Sequence, residues 1–515
     1  MSTEDQNRAV VTLHKGVDTQ EFVNQMLDAG YQLHNEKPGS LRNFDFVMTK
    51  EQAATLREDA RVIDVRYGSK VDNGIHLIKH VMQETQQYNK DPNAVVGSDH
   101  GNWAHMSCLN TSDVFSGSSI TIPGEFKYTL DGTDVDVVIQ DSGVQPDHPE
   151  FLASDLTTMR YQTVDWPTIS GLSYTQPALF HRDIDGHGTH VASTVAGKRL
   201  GWAKNANIYS MKILDDPGNT FGVSASFEMI RAWHNLKKTN NPEGDTYPTR
   251  PTIVNMSWGY FGKYENIQNG KYRNANWNGT IMDPNYGMVQ GQQDEGVYTH
   301  PIRVASVDAD VQDCLDAGII MVGAAGNGKH KIARDGSDPD WGNYFTHTTY
   351  GDRYYHRGST PVTQGNVICV ANIDNEYIGS QEPLRTSSEK GPRVDICAPG
   401  SNITGAIPTG STKFNAIATA PHLDNNAYVI GNLTGTSMAS PQVAGVLTNL
   451  LQLRPRYTQA QCLAWLQEVG QSLRLYDTTT GVYPADYTDD RALQGAANLY
   501  LQTPFVSEFP YSYQT

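Results

Sequence analysis

An α/β fold with a mostly parallel central sheet, preceded by a small α+β unit of ferredoxin-like plan, is what this 515-residue sequence predicts. Three observations carry the prediction. After Trp103, short apolar runs alternate with helical segments, a pattern that builds a parallel sheet covered on both faces. Residues 1–67 run strand, helix, strands, helix, strand, the order of a split βαβ sandwich. Apolar and aromatic residues persist along the whole chain at 38% hydrophobic content, which marks a globular protein rather than a disordered one. The balance of 39 Lys and Arg against 56 Asp and Glu leaves a net charge of −17, which argues against a nucleic-acid binder. No apolar run is long enough to span a membrane.

In the first unit, residues 9–13 form a β-branched strand. Asp18 or Thr19 caps a helix whose apolar face holds Phe22, Val23, Met26 and Leu27, and Gly30 stops it. Residues 31–34 read as a short strand and 44–48 as a clear one. Thr49 and Gln52 spell a capping box, opening a helix to about Ala60, and 62–65 is a last strand. Residues 68–102 read as a linker and processing region with a helix over 75–88. The main domain runs from 103 to 506, with strands at 135–140, 208–213, 252–256 and 319–324. Its helices are expected at 188–196, 224–238, 304–317 and 438–453. Residues 260–303 and 329–364, rich in Tyr, Asn, Gly and Asp, read as long surface insertions. Residues 507–515 are a C-terminal tail.

Three segments carry chemistry. Asp141 directly follows a buried strand, where parallel sheets build their sites; a turn aspartate is the plainer reading. Asp185-Gly-His187-Gly-Thr-His190 places two histidines three apart with no glutamate between them, unlike the HExxH zinc arrangement. Gly435-Thr-Ser437-Met-Ala-Ser440-Pro-Gln442-Val-Ala-Gly445 sets a serine at the start of a long helix, in positive potential. Ser437 also suits an N-cap, and Ser440 competes with it as nucleophile, although Pro441 beside Ser440 suits an ordinary first turn. Acyl transfer needs all three kinds of residue. An imidazole takes the serine proton, and a carboxylate holds the imidazole's tautomer. Donors placed in advance receive the oxyanion. Asn327, after a buried strand, offers one such donor and the Ser437 N–H another, although Asn-Gly alone reads as a turn.

Together these segments resemble the subtilisin-like serine proteases (subtilases), in that family's order Asp, His, Ser. The one departure from the commonest wording of the Ser437 segment is Gln442, where histidine is usual. The resemblance implies a subtilisin-like three-layer catalytic domain, with Asp141 as orienting acid, His187 as general base, Ser437 as nucleophile and Asn327 as oxyanion donor. Asn255-Met-Ser257-Trp258-Gly259 matches the segment that pairs with extended substrate, and Gly222 begins the segment expected to pair from the other side. Trp258, Ala324, Ala325 and Gly326 would shape the specificity pocket, with an apolar or aromatic preference. The first unit would be a propeptide, an intramolecular inhibitor whose tail lies in the substrate groove and is cut there.

The partners implied are polypeptide substrates and the chain's own N-terminal domain. No cofactor is required for the chemistry. Family likeness makes structural calcium an expectation, with Asp335, Asp338 and Asp340 as weak candidates because calcium prefers hard oxygen ligands. The other reading is a catalytically silent, self-inhibited scaffold, which has no need of so complete a set of residues. The five cysteines are far apart and include no CxxC, so they read as free buried thiols of a reducing compartment. Cys397 reads as core. His330, His347 and His356 read as surface residues of one insertion. The polar N-terminus shows no secretory signal, which favours a cytoplasmic or virion-packaged protein.

Overall fold

A computed structural model describes residues 8–34, 40–67, 75–79, 103–109, 127–241, 247–264, 267, 269–273, 275–278, 298–363, 365–376, 378, 381–411, 419–422, 424–472, 474–477 and 491–508. The first unit follows its pattern. Strands β1 (Arg8–Leu13), β2 (Gln32–Leu33), β3 (Asn43–Val47) and β4 (Val62–Tyr67) form an antiparallel sheet in the order β2-β3-β1-β4. Helices α1 (Thr19–Asp28) and α2 (Lys50–Arg57) start at caps legible in the sequence. Asp18 accepts from the Glu21 N–H, and Thr49 and Gln52 close a reciprocal capping box. Phe22, Val23 and Met26 of α1 and Ala53 and Leu56 of α2 share a core with Val11, Leu13, Phe46 and Val65.

Next comes β5 (Ile75–Lys79), a strand where a helix was expected. Its β-branched residues pair with a distant edge, and that tertiary partner outweighs local helical periodicity. The rest of the expected helix, 80–88, lies outside the described residues. Helix α3 (Trp103–Leu109) and the short β6 (Lys127–Tyr128) lead into the main domain.

The central sheet contains β7 (Asp136–Asp141), β8 (Asn207–Lys212) and β9 (Thr252–Met256). After the short strands β10 (Trp258–Tyr264), β11 (Asn269–Tyr272), β12 (Ala275–Asn278) and β13 (Tyr298–Pro301), it resumes with β14 (Ile320–Ala324). Strands β15 (Tyr344–His347) and β16 (Gly351–Tyr354) intervene before β17 (Ile368–Ile373) and β18 (Ile396–Pro399). Strands β19 (Ile403–Ile407), β20 (Thr419–His422) and β21 (Asn425–Leu433) form a separate sheet, and β22 (Gln471–Ser472) and β23 (Leu499–Tyr500) complete the central one. Its order is β22-β23-β18-β17-β14-β9-β7-β8, parallel except for the β22 edge. β24 (Val506–Glu508) pairs with β6.

Every residue of β7, β9, β14 and β17 is buried, as strands covered on both faces must be. The short α4 (Trp166–Ser170) precedes α5 (His187–Ala196), and α5 packs against α8 (Thr436–Leu453), which crosses β9, β14, β17 and β18. Helices α6 (Val223–Thr239) and α7 (Ala305–Asp316) pack on each other, and α9 (Gln459–Val469) follows α8. Among the described residues no helix is long and apolar enough to cross a membrane.

The described residues of the two insertions are more than surface loops: they supply strands to two small sheets, β13-β10-β5 and β12-β11-β15-β16. Tyr264, Phe345 and Tyr355 are buried, with the His300 ring stacked on Tyr264 at 5.1 Å. Aromatic side chains carry enough apolar area to build such a satellite core. This corrects two histidines as well. His330 and His356 are buried, His330 Nε2 lying 3.0 Å from the Thr299 carbonyl and His356 Nδ1 3.0 Å from the Asn343 amide. His347 is partly buried, and its Nδ1 accepts from the Thr349 and Tyr350 N–H groups.

The first unit docks on α7. Arg42 Nη2 donates to the Ala309 carbonyl at 2.7 Å and pairs with Asp313 at 3.2 Å. Asn43 Nδ2 donates to the Ser306 carbonyl and to Asp310 Oδ1, and Lys15 pairs with Asp316.

Candidate active site

The carboxyl ends of β7, β9 and β14 and the first turns of α5 and α8 meet at one place. Asp141 ends β7 and is fully buried. Its Oδ1 accepts from the Ser142 N–H at 2.7 Å and from His187 Nδ1 at 2.7 Å. His187 opens α5. Close backbone approaches just after β7 and at the start of α5 require glycine twice. Gly143 has φ +116°, and a Cβ there would meet the Arg182 carbonyl oxygen at 2.2 Å. A Cβ at Gly188 would meet the Gly143 carbonyl oxygen at 2.0 Å. His187 Nε2 is buried and has no hydrogen-bond partner among the described residues.

Ser437 is the second residue of α8, so its N–H has no carbonyl within the helix to donate to. Its hydroxyl donates to the Ser257 carbonyl at 3.0 Å, while the Ser257 hydroxyl donates back to the Ser437 carbonyl at 3.0 Å. The Ser437–His187 hydrogen bond is therefore not formed in this state, and a rotation of the serine side chain is needed to make it; catalytic hydrogen bonds often tighten only with substrate. Asn327 Oδ1 accepts from the Thr436 N–H and hydroxyl, both at 3.0 Å. That fixes the amide with Nδ2 turned away, buried and without a partner among the described residues.

The rival readings of the motif residues are resolved by their contacts. The Ser440 hydroxyl donates to Asn255 Oδ1 at 2.7 Å, inside a buried network that continues from Asn255 Nδ2 to the Ser257 hydroxyl. His190 Nε2 is engaged with the Ile403 carbonyl at 2.9 Å, and burial lowers its pKa to about 3. Gln442, the departure from the family wording, accepts from the Trp202 indole N–H at 2.7 Å. Among the described residues all five cysteines are buried and none is in a disulfide. Burial pushes the Cys369 thiol up to about 12 and moves Cys397 the same way, so neither is a nucleophile.

The segment Ser257, Trp258, Gly259 lies along the edge of β10. There β5 pairs antiparallel with it, Lys79 opposite Trp258, Ile78 opposite Gly259 and Leu77 opposite Tyr260. The strand expected at Gly222 is absent. Gly222 caps α6, residue 223 already belongs to the helix, and the Gly222 carbonyl accepts from the Ser226 N–H at 3.0 Å.

Ala324, Ala325 and Gly326 are buried. The Glu389 carboxyl stands against Gly326, where an added Cβ would lie 2.6 Å from Glu389 Cδ. Burial raises the Glu389 pKa well above the usual carboxylate value, against the smaller opposing effects of the Gly328 N–H and Lys390.

The calcium candidates do not fit an ion. Lys331 binds Asp338 at 3.2 Å and Asp340 at 2.6 Å, Arg273 also binds Asp340, and Asp335 accepts from Ser337. The Asp338 and Asp340 carboxylates already face cations. Among the described residues no group of three or more His, Cys, Asp or Glu side chains is arranged to hold a metal.

Three residues escaped the sequence reading: Glu389, Lys79 and Asp215. Lys79 Nζ pairs with Asp185 and, at 3.3 Å, with Asp215. The only trace of this in the sequence is the acidic step Asp215-Asp216 just past β8.

Comparison with known proteins gives the family. The subtilase family matches residues 132–480. Alkaline serine exoprotease A of Vibrio alginolyticus is 24% identical over 467 residues, covering 90% of this chain and 62% of that protein. The extracellular serine proteinase of Thermus sp. strain Rt41A is 25% identical over 391 residues, 75% of this chain and 64% of that one. The crystal structure of fervidolysin from Fervidobacterium pennivorans, a keratinolytic enzyme related to subtilisin, shares the fold. Its TM-score is 0.51 at 18% identity, covering 97% of this chain and 61% of that one. The chain spans about half to two-thirds of the length of the curated relatives it matches. The relatives also correct the expected compartment: the Thermus protein is extracellular by name, which overturns the preference for a cytoplasmic or virion-packaged protein.

Proposed function

Because the chain belongs to the subtilase family, we propose that it is a serine endopeptidase, made as a self-processing zymogen, in which Asp141, His187 and Ser437 form the catalytic triad. The observation that carries this reading is the buried Asp141–His187 pair at 2.7 Å, whose Nε2 has no partner among the described residues and whose helix α5 packs against α8, the helix that Ser437 opens. Two of the buried polar atoms without partners there among the described residues, His187 Nε2 and Asn327 Nδ2, are ones that acyl transfer calls on.

In the proposed reaction, the Ser437 hydroxyl gives its proton to His187 Nε2 as its oxygen bonds to the scissile carbonyl carbon. Asp141 holds the ring tautomer and stabilises the imidazolium. The carbonyl oxygen, now an oxyanion, accepts from Asn327 Nδ2 and the Ser437 N–H. His187 then protonates the amine as the C–N bond breaks, leaving an acyl-enzyme that water hydrolyses by the same route. Extended substrate adds as a strand to the β10 edge, which reads backbone. The position of β5 on that edge, downstream of a unit docked on α7, supports residues 1–67 as an inhibitor in cis. No metal takes part in this scheme.

Intact masses of wild type and Ser437→Ala test both halves. The expected result is loss of an N-terminal piece of the wild type, with the variant whole. If both stay whole and wild type takes no fluorophosphonate label at Ser437, the silent-scaffold reading replaces this one.

A further inference from the structure

Resting on the endopeptidase reading, we infer that Asp185 and Asp215 form a subsite for a lysine or arginine of the polypeptide substrate, at the residue just before the one whose carbonyl is attacked. The observation is the side chain of Lys79. β5 lies on the β10 edge in an antiparallel register, and its lysine ammonium reaches both carboxylates with 9% of the side chain exposed.

The position follows from the register. Lys79 stands opposite Trp258. In an antiparallel pair the next residue of a substrate strand stands opposite Ser257, whose carbonyl accepts from the Ser437 hydroxyl at 3.0 Å. In a bound substrate strand, the residue after the one opposite Trp258 is therefore the one presented to the nucleophile.

The two carboxylates come from separate segments of the chain, and the Lys79 ammonium brings them together. Asp185 is two residues before it and accepts from its N–H at 3.1 Å. Asp215 follows β8, in a left-handed backbone conformation with φ +58°. The neighbouring Asp183 and Asp216 serve the domain itself. Asp183 accepts from the Ser142 hydroxyl and from Thr189, and Asp216 pairs with Arg182 and Lys212. Asp185 and Asp215 instead reach across to the paired strand.

A buried ammonium is costly unless it is paired, and two carboxylates covered by a neutral side chain lose water without compensation. A glutamate there adds like-charge repulsion. The cup thus discriminates by charge at a position where edge pairing alone reads only backbone.

The test uses processed wild-type enzyme and peptides that differ only at this position, carrying Lys, Arg, norleucine, Gln or Glu. Lys and Arg are expected to exceed norleucine by about ten-fold or more in kcat/KM, with Glu lowest. Asp215→Asn is expected to shrink that spread, and Asp215→Lys to reverse the order of Lys and Glu. A flat series in an enzyme that cleaves the peptides overturns the subsite and leaves the endopeptidase reading intact. No cleavage and no fluorophosphonate label overturns both. In the full chain, Lys79→Glu is expected to slow N-terminal processing and Lys79→Glu/Asp215→Lys to restore it; absence of rescue overturns the pairing.

Discussion

The amide of Asn327 is aimed before any substrate arrives. Its oxygen is tied to Thr436 twice, so the nitrogen is left as a preset donor. Asn327→Ala is expected to lower kcat about 10²–10³-fold with KM near wild type, read from steady-state kinetics of processed enzyme. Glu389 makes a second residue-scale case. Its pKa is raised well above 4.5 by burial, so the folded state favours the neutral acid. A raised pKa contributes stability that is complete below the unfolded value and is lost as pH rises through the folded one. Between pH 6 and pH 9 the melting temperature of wild type is expected to fall more than that of Glu389→Gln, by differential scanning calorimetry. The triad residues were legible because each sits in a run of small residues whose spacing has one good explanation. Glu389 was not, because only folding brings it against Gly326, 63 positions away.

At the scale of elements, α7 is the seat of the first unit, and Asp310 on it titrates in a useful range. Burial, with Asp313 nearby, raises its pKa to about 7; Ser40, Ser224 and Arg231 pull the other way. Asn43 donates to it from the first unit, while Arg42 pairs with Asp313 and Lys15 with Asp316. Removing the unit exposes Asp310 and returns it toward its ordinary value. The docked state therefore favours the protonated acid, and its hold weakens as pH rises toward and through about 7. After the chain is cut, the first unit is expected to leave faster at pH 8 than at pH 5.5, and Asp310→Asn to flatten that difference, measured by size-exclusion of processed samples.

Capped helices such as α1 and α2 and fully buried strands such as β7 and β9 were readable because local chemistry and burial agree there. β5 was misread because its strand state comes from an edge nearly 180 residues away. The acidic loop at Asp335–Asp340 misled for a similar reason: its counter-ions, Lys331 and Arg273, are set by the fold rather than by the loop.

Across the whole molecule, the eight-stranded sheet fixes the site and the insertions extend its working edge. β10 is bordered by β13 on one side and β5 on the other, so the segment that follows the first unit and an insertion share one three-stranded sheet. Hydrogen exchange of the β10 amides is expected to be slow in Ser437→Ala, where β5 stays attached, and faster in processed wild type once β5 has gone. Equal protection in the two would mean that β5 does not hold that edge in solution.

The strand that fills the β10 edge belongs to the same chain as the edge itself. While the connection is intact, the local concentration of that strand is set by the tether, in the millimolar range for short flexible links, whatever the bulk concentration. Cutting the chain turns this into an ordinary bimolecular equilibrium. Specific activity of freshly cut protein should then rise on dilution, so that a crowded preparation restrains itself and a dispersed one does not.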